Sequence, residues 1–265
     1  MKYTVDHDLH IHTRLSACSQ HPGQTPEAIL RYALENGLKT ICVTDHYWDE
    51  TVPGASGWYA PQNTAHIRQS LPLPRAEGVR FLFGCETDLD RHCTLGVSPA
   101  RFDELDFVII PTTHLHMTDL TVTGEETAEE RAALWVKRLD AVLAMDLPFH
   151  KIGIAHPVCR LIAPTREMYL EALRLLPEDE IERLFTKAAS LGCGIELNAG
   201  DFGFAEEEAP TVLRPMLIAK RCGCRFYCGS DVHKPERFAG VVPRFERAVD
   251  LLGLTEDDKF LPGVM

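Results

Sequence analysis

Nothing in the 265 residues approaches the run of about eighteen apolar side chains that a membrane helix requires. The opening stretch, Met1 to His7, is too polar for a secretory signal. The expectation is a cytoplasmic protein that meets no membrane. Positive charge is short as well: 27 Lys and Arg stand against 39 Asp and Glu, a net charge of −12. That balance works against a nucleic-acid polymer as substrate, because such affinity comes from cations displacing the counterions of phosphates. No residue type dominates a composition that is 45% hydrophobic and 25% charged, so disorder, collagen and coiled coil are excluded. There is no P-loop, no Gly-x-Ser-x-Gly elbow, no His-Glu-x-x-His and no dinucleotide fingerprint. Cysteine is not scarce, but its count of 9 is odd and several thiols lie in strand-like runs, which suits reduced, buried groups better than disulfides. Cys222-Gly223-Cys224 with Cys228 resembles a metal knuckle, yet its spacing is irregular and no second pair follows.

What is present is alternation. Seven runs rich in β-formers recur at Tyr3 to His10, Thr40 to Thr44, Arg80 to Cys85, Asp106 to Pro111, Lys151 to Ala155, Gly194 to Leu197 and Arg225 to Cys228. Helical patterns fall between most of them. One is capped by Thr25, opened by Pro26 and closed by Gly37; Thr127 to Met145 carries the stripe Ala132, Trp135, Leu139 and Val142. Glu178 to Leu191, Thr211 to Cys222 and Pro235 to Leu251 are the others. Strands alternating with helices predict an α/β fold, a closed or nearly closed parallel barrel formed by residues 1–265 as a single domain. Asp49 to Glu77, rich in Pro and Gly and anchored by Trp48, Trp58 and Tyr59, reads as a long loop with a short helix, a lid or a surface insertion.

The chemistry follows from the strand ends. The first run ends in Asp8-Leu9-His10-Ile11-His12, and alternation puts both imidazoles on one side. The others end in Asp45-His46, Cys85-Glu86, His114-Leu115-His116, His156, Glu196-Leu197-Asn198 and Asp231-Val232-His233. In a parallel barrel these ends share one surface. A lone histidine after a strand is most often a hydrogen-bonded structural residue, but agreement across every element reverses that reading. Neutral imidazoles with carboxylates suit zinc, manganese or iron better than calcium or magnesium. Histidines 10, 12, 46, 114, 156 and 233 with two carboxylates are too many for one tetrahedral ion, so two or three divalent transition-metal ions are expected. Such a cluster acidifies a bridging water and neutralises a phosphate dianion, which points to phosphate-ester hydrolysis through a metal-bridging hydroxide.

His10-x-His12 with Ser16, Thr44-Asp45-His46, Gly84-x-Glu86, His114, His156-Pro157 and Gly229-Ser230-Asp231-x-His233-x-Pro235-Glu236 together resemble the ordered motifs of the polymerase and histidinol phosphatase (PHP) superfamily, over residues 6 to 241. The resemblance implies a distorted (β/α)7 barrel, a trinuclear metal site and metal-dependent phosphomonoesterase activity on a small-molecule phosphate. It implies that His10, His12, Glu86 and Asp231 hold one metal, that Glu86 bridges to a second held by His114 and His156, and that a third takes His46 and His233. Where many relatives have a histidine eight residues after His10, this chain has Cys18, a candidate ligand or a plain thiol. Asp8 and Asp45 are candidates to orient imidazoles, as is Glu196. Arg160 resembles the phosphate-binding basic residue of relatives, with Arg14 and Lys234 as alternatives, and His233 is a candidate to assist the leaving alkoxide. Histidinol phosphatase is the narrower alternative. An amidohydrolase-like metal hydrolase is the other, although no bridging lysine follows a strand.

Overall fold

The computed structural model describes residues 1–263. Its strands, in chain order, are β1 (His7–Ile11), β2 (Thr40–Val43), β3 (His46–Tyr47), β4 (Arg80–Thr87), β5 (Phe107–Pro111), β6 (Ile152–Ala155), β7 (Gly194–Asn198) and β8 (Arg225–Gly229). Pairing is parallel throughout, in the order β1-β2-β4-β5-β6-β7-β8, and the two-residue β3 lies beside the end of β4 with His46 in register with Glu86. The seven expected strands are all there. β3 is the addition, and it extends the second strand's path past a break at Thr44 and Asp45.

β1 is shorter than the run Tyr3 to His10 suggests, because side chains replace its backbone ladder at the seam with β8. Tyr3 donates its hydroxyl to the Phe226 carbonyl (2.8 Å), the Cys228 N–H donates to His7 Nε2 (3.0 Å), and the Ser230 N–H donates to Asp8 (2.9 Å). Backbone contact resumes only at the top, where the Asp231 N–H donates to the His10 carbonyl (2.7 Å). The barrel is thereby nearly closed.

Helices cover the outside: α1 (Pro26–Glu35), α2 (Thr64–Ile67), α3 (Ala128–Ala144), α4 (Arg166–Leu175), α5 (Glu178–Leu191), α6 (Ala209–Arg221) and α7 (Val241–Leu252). The stripe Ala132, Trp135, Leu139 and Val142 is buried as its spacing requires, under a Thr127–Glu130 capping box. α4 was not expected, although Tyr169, Ala172 and Leu173 bury one face behind an N-cap at Thr165. The expected helix Pro235 to Leu251 divides, because Gly240 takes a left-handed φ of 78° between a short 3₁₀ turn and α7. Asp49 to Glu77 is the loop expected, with α2 inside it and Trp48 and Tyr59 buried beneath.

Inside the barrel Leu9, Cys42, Leu82, Phe107, Ile109, Ala155, Tyr227 and Phe260 form a core of their own. Gly153 is required there: a methyl group on it would lie 2.6 Å from the Phe107 ring. The knuckle-like cysteines share no centre, since Cys222 faces the Glu182 carbonyl, Cys224 the Phe185 carbonyl, and Cys228 is buried in the outer core. Among the described residues no helix is long and apolar enough to cross a membrane.

Candidate metal centre

The register of β1 against β2 shifts between Asp8 and Ile11. Before that irregularity Leu9 faces the inner core, and after it Ile11 faces the outer one. Such a bulge re-aims side chains, and here His10 and His12 converge with their Nε2 atoms 3.0 Å apart. Gly229 makes room, since a methyl group there would meet Glu196 and lie 2.8 Å from His10 Cβ.

Glu86 occupies the middle. Its Oε2 lies 3.0 Å from His46 Nδ1, 3.2 Å from His12 Nε2 and 3.5 Å from His10 Nε2, and its Oε1 lies 3.5 Å from His156 Nε2 and 3.8 Å from His114 Nε2. Asp231 Oδ1 completes the ring at 3.1 Å from His12 and 3.4 Å from His10. Four donor sets result: His10, His12 and Asp231; Glu86, His114 and His156; His12, His46 and His233; and, on the outer side of the rings, His10, His156 and Glu196. His156 and Asp231 hold φ of 55° and 54°. Left-handed backbone is costly for residues with a Cβ and is characteristic of functional sites.

Neighbouring side chains fix the imidazoles. Asp45 only accepts, so Ser16 Oγ donates to it (2.6 Å) and must itself accept from His12 Nδ1–H (2.8 Å), which leaves the His12 Nε2 lone pair facing inward. His10 Nδ1 donates to Glu196 (2.6 Å) with the same consequence, and His114 Nδ1 donates to Asp88 Oδ2 (2.8 Å). Asp45 thus acts through Ser16, and Glu196 also receives the His156 N–H (2.8 Å). Asp8 ties β1 to β8 rather than touching a ring. Asp88 escaped the sequence reading, though it lies two residues beyond Glu86 and alternation carries it to the same side. Behind it Arg138, buried on α3, donates to Asp88 Oδ1 (2.7 Å) and to the carbonyls of Thr112 and Leu89. The signal was a cation within a buried helical stripe.

The residues fit a cationic metal centre. Both Glu86 oxygens and His46 Nδ1 are buried without a hydrogen-bond partner, and the two inward lone pairs of His10 and His12 repel unless a positive charge lies between them. Burial opposes charge on His10, yet Glu196, Glu86 and Asp231 outweigh it and push its pKa up to about 10. Burial likewise works against the Glu86 carboxylate, while His46 and His10 hold it well below the usual range. His46 goes the other way, since burial drives it far below an ordinary histidine. The centre demands cations, and its nitrogen-and-carboxylate donors suit transition metals.

A cavity of about 500 Å³ opens above, lined by His46, His114, His156, Glu86, Asp231 and His233, with Trp58, Tyr59, Met117 and Leu161 as its apolar wall. Cys18 is on its rim, with Sγ 3.0 Å from His233 Nε2; burial, then the charges of Glu86 and Asp231, raise that thiol's pKa. His116 lines the cavity beside His114, whereas His21 does not line it and lies 3.6 Å from Glu236. The basic candidates are not brought in. Arg160 is exposed at the start of a 3₁₀ turn, and its neighbour Leu161 takes the cavity wall. Arg14 lines a separate recess with Pro26 and Pro72, and Lys234 a cleft next door.

No family model matches the chain. It is 28% identical over 255 residues to a protein named probable phosphatase from Caldanaerobacter subterraneus subsp. tengcongensis, covering 95% of this chain and 84% of that one. A protein of the same description from Thermoanaerobacter sp. is 27% identical over 257 residues, with 94% and 87% covered. In fold the chain is similar to a histidinol phosphate phosphatase from Lactococcus lactis subsp. lactis, solved with zinc, L-histidinol and phosphate, with a TM-score of 0.67, 17% identity and coverage of 97% and 99%. The likeness therefore spans nearly the whole chain, in sequence to proteins named probable phosphatase and in fold to a histidinol phosphate phosphatase.

Proposed function

We propose that this chain is a metal-dependent phosphomonoesterase acting on small-molecule esters. The observation that carries the reading is convergence: six imidazoles, Glu86 and Asp231, from loops and strands spread over the whole chain, meet in one cluster, with His46, His114, His156, His233 and both carboxylates lining a cavity above it. His10, His12 and Asp231 would hold one ion, Glu86, His114 and His156 a second, and His46 with His233 a third. Glu86 points one oxygen toward each side of the cluster, as a bridging carboxylate must. Ions bound there supply an acidified water and neutralise the phosphate dianion. Glu196, Asp88 and the Ser16–Asp45 pair keep the imidazole lone pairs aimed inward. Trp58, Met117 and Leu161 shield the ester from bulk water. The resemblance of the relatives, named probable phosphatases, supports the same chemistry.

Turnover of a panel of phosphate monoesters, by protein loaded in turn with manganese, zinc and iron and checked by elemental analysis, tests this. Bound metal without hydrolysis of any ester would overturn it. A narrower reading, histidinol phosphate as the ester, draws on the ligands named for the Lactococcus structure. Growth of a histidine auxotroph lacking its own phosphatase tests that one.

A further inference from the structure

A second recess adjoins the metal centre. It is a cleft of about 280 Å³ between the loops after β7 and β8, and it shares Asp231 and His233 with the central cavity. Asn198 and Gly200 form one side, and Lys234, Arg237 and Arg244 line the other. Resting on the phosphoesterase reading, we propose that this cleft receives a second anionic group of the substrate, a phosphate or a carboxylate, so that esters carrying one are turned over best.

Charge placement argues for it. Among the described residues neither Lys nor Arg lines the central cavity, and apart from Arg138, which is spent on Asp88, the cations beside the centre stand in this cleft. Many basic residues of the chain are neutralised, as Arg101, Arg166, Arg183 and Arg221 are by neighbouring carboxylates. None of Lys234, Arg237 and Arg244 makes an ion pair with any described residue, on a protein of net charge −12. The one carboxylate in the cleft wall, Asp231, is turned to His12 and His10 at 3.1 and 3.4 Å. Three uncompensated positive charges that converge on a recess repel one another, and an oxyanion held among them removes that repulsion through charge-assisted hydrogen bonds. Their place in the chain is consistent: Lys234 precedes and Arg237 lies within the 3₁₀ turn that follows His233, and Arg244 lies in the first turn of α7. An ester whose phosphate lies at the centre has this cleft as its neighbour across the Asp231–His233 ridge.

The test compares matched esters on metal-loaded enzyme: fructose 6-phosphate with fructose 1,6-bisphosphate, and glycerol 3-phosphate with 3-phosphoglycerate. Phenyl phosphate is the reference, and metal content and circular dichroism report folding. The wild type should favour at least one ester with the second anion by about tenfold or more in kcat/KM. R237E/R244E should bring that ratio close to one, mainly through KM. The pair that responds identifies phosphate or carboxylate. Independently of turnover, sulfate should raise the melting temperature of the wild type saturably and that of the variant much less. Hydrolysis of phenyl phosphate with a ratio that the charge reversal leaves unmoved would overturn this inference alone. So would histidinol phosphate outrunning every ester that carries a second anion. No hydrolysis of any ester with any of the three metals would overturn the phosphoesterase reading, and this one with it.

Discussion

The two ends of the barrel are built by the same strands to opposite specifications. At the lower end the rings of Phe107, Tyr227 and Phe260 pack with centroids 5.2 to 6.2 Å apart, and glycines open the space they fill. At the upper end the same strands bury imidazoles against carboxylates, leave Glu86 without a hydrogen bond and hold His156 and Asp231 in left-handed backbone. Large buried apolar surface stabilises the first region. Strain and buried charge destabilise the second until a ligand compensates them, which is the usual relation between stability and function.

The largest effect should follow from removing the shared carboxylates. Glu86→Ala and Asp231→Ala should each reduce kcat/KM about a thousandfold or more and lower the metal content found by elemental analysis. Full metal content and full turnover in both would contradict the assignment. Phe107→Ala should do the converse, with about 3 to 5 kcal/mol of stability lost in urea titration while metal stoichiometry and low-temperature kcat stay unchanged. A variant that lost its metal at native temperature would show that the two ends are coupled.

Next in size is the layer that aims the ligands. Asp88→Asn should weaken metal affinity about ten- to a hundredfold, measured by competition with a chelator. It also strips buried Arg138 of its anion, so a fall in melting temperature should accompany it. Ser16→Ala removes only a hydroxyl relay and should fall at the lower end of that range.

The strands, the α3 stripe and the histidines at the strand ends were legible because each leaves a periodic trace: two in a strand, 3.6 in a helix, one polar residue at each C-terminal end. What was not legible depends on three dimensions. The bulge between Asp8 and Ile11 has no residue signature, so alternation gave the pairing of His10 with His12 but not their turn inward. Asp88 and Arg138 are 50 residues apart and meet only because α3 lays Arg138 across the segments that follow β4 and β5. Arg160 fits a family pattern, yet the 3₁₀ turn beginning at it presents Leu161 to the cavity instead. The last helix splits at Gly240, whose left-handed φ leaves no mark in the hydrophobic period.

The smallest effect separates the two ends by acid. Asp6, at the lower seam, lies 3.1 Å from His7 Nδ1 and 3.2 Å from Lys259 Nζ. Burial alone would raise its pKa, but the bonds and charges of His7 and Lys259 override that and bring it down to about 2. A carboxylate whose folded pKa is depressed contributes stability above its unfolded value and loses it as pH falls, here between about 4 and about 2. The side chain is partly exposed, so the contribution should be about 1 kcal/mol or less. Asp6→Asn should therefore lower stability slightly at neutral pH and make the acid limb shallower. The metal should leave earlier on the way down, since protons compete with it directly for imidazole nitrogens, which are stronger bases than the Asp6 carboxylate. Elemental analysis and circular dichroism along one acid titration should show metal loss with the barrel intact. Coincident loss of both would mean that the upper end, and not the aromatic plug, holds the strands together.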